Sequence, residues 1–114
     1  MFTVDQENAV IAKVCDEFKT FLTGKNTAYN GAFAQDVKYG GSTIAAMDTI
    51  NVRITDKIRR LQSGNTYAGD NDEEDLLGYL ILKKVLKTLQ SAEEIKQKLI
   101  ADPNADVRVH SISR

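Results

Sequence analysis

The sequence predicts an all-α domain, a bundle of about four helices with one long loop and a short C-terminal strand. Three observations carry that prediction. Apolar residues recur at helical spacing over four stretches of the chain, whereas alternating spacing appears only in the tail DVRVHSISR. A segment rich in Gly, Asn and Asp separates the first stretch from the others. At 114 residues the chain is long enough for one domain with a modest core and no disulfides.

The first helix is expected from about Asp5 to Leu22. Ile11, Val14, Cys15, Phe18, Phe21 and Leu22 follow helical spacing, and Gly24 suits a C-terminal stop. The single cysteine, Cys15, has no disulfide partner in the chain and falls on this stripe, where a buried, inert thiol is expected. Next comes KNTAYNGAFAQDVKYGGST, read as a long loop of the kind that forms binding loops or packed surface loops. The second helix is expected from about Thr43 to Leu61, with Ser42 or Thr43 as N-cap. The segment QSGNTYAGDND breaks the chain. A third helix then runs from near Asp72 to about Leu89, with a stripe wide enough to be buried on more than one side. Ser91 and Glu94 form a capping-box pattern that opens a fourth helix, ending before Pro103.

Composition excludes several chemistries. The net charge of -1 argues against a protein that coats nucleic-acid polymers. One His and one Cys cannot build a Cys/His zinc site. No nucleophile elbow, Walker A sequence or dinucleotide fingerprint occurs. The start, MFTVDQENAV, lacks the pattern of a signal peptide, and no apolar run approaches a membrane span, so a cytoplasmic protein is expected.

What remains is charge on helices. Arg53, Lys57 and Arg60 stand at i, i+4 and i+7 and share a helical face with Asp56 beside them; Arg suits bidentate phosphate contacts and Lys acts as a point charge. Asp72, Asp75 and Tyr79 stand at i, i+3 and i+7, so two carboxylates share a face with a phenol. Such oxygen ligands suit magnesium held against a phosphate. Solvated helix surface, or carboxylates complementing a helix N-terminus, accounts for the same residues without any ligand.

Three motifs together, KNTAYN at Lys25 to Asn30, RITDKIRRL at Arg53 to Leu61 and EEDLLGYLIL at Glu73 to Leu82, resemble the nucleotide modification associated domain of bacteriophage proteins. Their order and helical setting also resemble the MazG-like all-α NTP pyrophosphohydrolases, in which carboxylates hold magnesium against a nucleoside triphosphate. The resemblance implies that Lys25, Asn26 and Tyr29 line a pocket from the loop, that Arg53, Asp56, Lys57 and Arg60 contribute from the second helix, and that Asp72, Asp75 and Tyr79 contribute from the third. Ala28 and Asn30 depart from the family's loop motif, where Asp and Gly stand. MazG-like enzymes carry an E-x-x-E pair on this helix; here Asp56 is followed by Ile58, Arg59 and Arg60, so the second carboxylate is absent.

The resulting expectation is a phage-type protein, in the host cytoplasm, that holds a nucleotide or nucleotide-derived signal without turnover and so evades host defence. The alternative is a magnesium-dependent pyrophosphohydrolase, with Asp56, Asp72 and Asp75 as metal ligands and catalytic carboxylates and a bound water as nucleophile. A homo-oligomer is expected from the way MazG-like domains assemble through helices.

Overall fold

The computed structural model describes residues 1–64 and 67–101. The all-α class holds, with three helices and one small hairpin among the described residues. The expected C-terminal strand lies outside them. The chain divides into two compact units, Met1–Gln35 and Asp36–Arg114.

The first unit is helix α1, Val4–Ala28, followed by a 3-10 turn at Ala32–Ala34. Thr3 opens α1 with a capping box. Its hydroxyl accepts from the Gln6 N–H at 3.1 Å, and the Gln6 side chain accepts from the Thr3 N–H at 2.9 Å. Gly24 does not stop the helix. The stop comes six residues after the expected end, where Asn30 and Gly31 turn to positive φ (53° and 69°) and the Gly31 N–H donates back to the Asn26 carbonyl. No residue of α1 is buried, and Cys15 is exposed. The buried thiol is thereby corrected: helical spacing gathers Cys15 onto an apolar stripe, but the unit offers no second element large enough to cover it.

The second unit opens with a hairpin inside the expected loop. Strand β1, Val37–Tyr39, pairs antiparallel with β2, Ser42–Ile44, so that Tyr39 faces Ser42. Gly40 and Gly41 both take positive φ (59° and 79°), as a two-residue hairpin turn matching strand twist requires. Ser42 and Thr43 are strand residues and cap nothing. Helix α2, Ala46–Ser63, instead receives its N-terminal acceptor from ten residues upstream, where Asp36 Oδ1 accepts from the Ala46 N–H at 2.9 Å.

Helix α3, Asp72–Ala101, replaces the expected third and fourth helices with one continuous element. The Ser91 pattern is present, yet no Gly or Pro between Leu89 and Ala92 releases the backbone from helical geometry, so the pattern stays inside the helix. Asn71 caps α3 by accepting the Glu74 N–H at 3.1 Å. Helices α2 and α3 pack together. Ala46, Ile50 and Ile54, one helical turn apart from each other, are buried on α2, and Leu86 is buried on α3. The expectation that α3 is buried on several sides does not hold among the described residues, since Leu77, Leu80 and Leu89 are exposed.

Candidate functional site

Four of the polar residues singled out on α2 and α3, Lys57, Arg60, Asp72 and Asp75, meet near the end where the two helices are joined. Lys57 Nζ lies 3.0 Å from Asp75 Oδ2 and 3.4 Å from Asp72 Oδ1. Arg60 Nη1 lies 3.7 Å from the same Asp72 oxygen and 3.6 Å from Asp70 Oδ2. Two cations therefore share one carboxylate oxygen, and each also holds a second carboxylate. The local charge is -1, from two cations and three carboxylates.

Burial increases from one side of this network to the other. Arg60 and Asp70 are half-exposed, the Lys57 side chain is 13% exposed, and the Asp72 side chain is 1% exposed. Asp72 is the buried charged residue of the described chain, and its Oδ2 has no hydrogen-bond partner among the described residues. Desolvation pulls the Lys57 ammonium toward a lower pKa, but the hydrogen bond and charge of Asp75, aided by Asp72, outweigh it and raise the pKa above the usual lysine value. Lys57 is thus a firmly charged ammonium.

Partner numbers fall along α3 as they rise along α2, which fixes an antiparallel arrangement. One further turn in that register sets Arg53 level with Tyr79. Arg53 is exposed and takes part in none of the ion pairs, and Tyr79 is half-buried. The joined end of the α2–α3 pair therefore carries paired cations toward the connection, and one turn further from it Arg53, which enters no ion pair among the described residues.

Of the residues expected to act together, Lys57, Arg60, Asp72 and Asp75 are in direct contact. Asp56 is half-buried on α2 and enters none of these pairs. Lys25, Asn26 and Tyr29 belong to the first unit. There Lys25 Nζ sits 5.0 Å from the centre of the Phe21 ring, the Asn26 carbonyl accepts from the Gly31 N–H, and Tyr29 forms the C-cap of α1. Asp70 was not singled out by spacing because it precedes the helix. Its signal is the clustering of carboxylates immediately before α3.

Magnesium does not fit the donors as they stand. Asp72 and Asp75 close on the Lys57 ammonium, which occupies the position a bridging cation would need, and Asp56 lies outside the network. Among the described residues no three carboxylate, His or Cys groups are arranged to hold a metal ion. No family model, curated protein or solved structure matches the chain. The motif resemblance thus stands on the quoted residues alone. Among the described residues, no helix is long and apolar enough to cross a membrane.

Proposed function

We propose that this protein binds a nucleotide or nucleotide-derived small molecule at the joined end of the α2–α3 hairpin and holds it without turnover. The observation that carries the reading is the burial of Asp72 under Lys57 and Arg60 with one carboxylate oxygen left unsatisfied. A buried ion network contributes little net stability compared with apolar residues of the same volume, so stability alone is a poor reason to build one here. Ionisable groups with shifted pKa values, of which Lys57 is one, concentrate at functional sites.

The division of labour follows from the geometry. Arg53 supplies a cation that enters no ion pair among the described residues, suited to a phosphate. Tyr79, level with it, supplies a ring for a base or a hydroxyl for a ribose. Lys57 and Arg60 keep Asp72 and Asp75 in place beside them. Binding is favoured over hydrolysis because an ammonium spans Asp72 and Asp75, two of the three carboxylates that a hydrolase would use for metal.

The test is thermal stability and product analysis of the pure protein with nucleoside triphosphates, cyclic nucleotides and ADP-ribose derivatives, with and without magnesium. A saturable rise in melting temperature is expected with one class of compound, which is recovered intact after heat denaturation. Arg53→Ala weakens that binding by about 1.5 to 3 kcal/mol, the worth of a hydrogen bond to a charged group. Release of pyrophosphate would establish the hydrolase instead, and the absence of any saturable shift would refute binding.

A further inference from the structure

Helix α1 carries a heptad pattern that its own unit leaves uncovered. Residues 4, 7, 11, 14, 18, 21, 25 and 28 alternate at spacings of three and four, the seam of a coiled coil. Ile11, Val14 and Phe21 on that seam are 59%, 54% and 46% exposed. Two seam positions break the apolar run, Glu7 near one end and Lys25 near the other.

These two charges stand on the seam itself, apart from the pairs that charges on the other faces of α1 make with one another. Lys13 pairs with Glu17 and Lys19 with Asp16 within α1, as outward-facing charges commonly do. Glu7 and Lys25 enter no ion pair among the described residues. The Lys25 ammonium lies over its own Phe21 ring instead.

We infer that α1 pairs with α1 of a second copy as an antiparallel coiled coil centred on residue 16. In that register Glu7 of each copy meets Lys25 of the other, Ile11 meets Phe21, and Val14 meets Phe18. Every pair combines the two kinds of seam position, the layer geometry of antiparallel coils. A parallel pair would instead set Glu7 against Glu7 and Lys25 against Lys25, so the charges select orientation as well as partner. The two-fold axis repeats each layer, which gives two Glu7–Lys25 contacts per dimer. The inference is independent of the nucleotide reading, because it uses no residue of the α2–α3 network.

The test is the mass of the full chain in solution by sedimentation equilibrium. A dimer is expected, with a dissociation constant below about 100 μM. Glu7→Lys alone and Lys25→Glu alone each weaken it about tenfold or more, because each turns two attractive layers into repulsive ones. The double reversal restores affinity to within about threefold of the parent. Parent protein that stays monomeric, single reversals that leave the mass unchanged, or a double reversal that restores nothing while helix content is intact would each overturn the proposal.

Orientation has its own readout should a reversal fail to fold. With Cys15→Ser and a spin label at Asp5→Cys, the two labels lie about 33 Å apart along an antiparallel pair, at about 1.5 Å per residue. A separation near the width of two helices would mean a parallel pair and would overturn the register.

Discussion

Replacing Lys57 by Met isolates the energetics of the site. The substitution keeps most of the side-chain volume and removes the ammonium 3.0 Å from Asp75 and 3.4 Å from Asp72. Asp72 then remains almost fully buried, with Arg60 at 3.7 Å as its remaining cation. Removing one partner of a buried ion pair costs about 3 to 5 kcal/mol, because the other charge is left uncompensated. Arg60 stays in reach and Asp75 can turn toward water, which places the loss near the lower bound, about 3 kcal/mol. With a urea dependence of roughly 1.5 to 2 kcal/mol per molar, the unfolding midpoint falls by about 1.5 to 2 M with an unchanged slope. Lys13→Met is the control, since its pair with Glu17 is well exposed and its loss leaves the midpoint in place. A Lys57→Met midpoint within about 0.3 M of the parent would refute the claim that Lys57 holds the two carboxylates in a desolvated network.

Two further outcomes follow from the same structure. Because the folded-state pKa of Lys57 is raised, folded protein binds its proton more tightly than unfolded chain. Its contribution to stability is complete below the ordinary lysine pKa of 10.5 and is lost as pH rises through the higher folded value; alkaline urea titrations of the parent show this excess loss and those of Lys57→Met do not. Asp36→Ala removes the acceptor of the Ala46 N–H and costs about 1 kcal/mol by chemical denaturation, whereas Asp36→Asn retains most of it.

The α2–α3 pairing was legible because both helices present their charges at helical spacing and complementary sign, so two faces read separately could be expected to meet. Asp72 and Asp75 on one helix and Lys57 and Arg60 on the other need only an antiparallel turn to join. What was not legible is how far each carboxylate is committed to a cation, because spacing describes one helix and burial depends on two. The hairpin was missed although its Gly40–Gly41 signal was in view: the strands Val37–Tyr39 and Ser42–Ile44 are too short to show alternation. The cap from Asp36 was missed because a residue ten positions upstream does the work local rules assign to Ser42 or Thr43. The α3 boundary failed for the opposite reason, since a correct local capping pattern at Ser91 cannot interrupt a helix whose backbone nothing bends.

The sharing of Asp72 Oδ1 between Lys57 and Arg60 has a consequence for how this chain can vary. Two donors drawn to one oxygen are substitutes for each other, so the loss of either is partly absorbed by the other, and the loss of both exceeds the sum of the single losses. Removal of Asp72 takes one partner from both donors at once, leaving Lys57 with Asp75 and Arg60 with Asp70. Positions 57, 60 and 72 therefore form a triangle with unequal corners, in which a change at either cation leaves Asp72 one partner, while a change at Asp72 removes a partner from both cations. Divergent relatives of this chain should accordingly keep the acid with at least one of the two bases, since an acid buried at position 72 with neither base has no compensating cation.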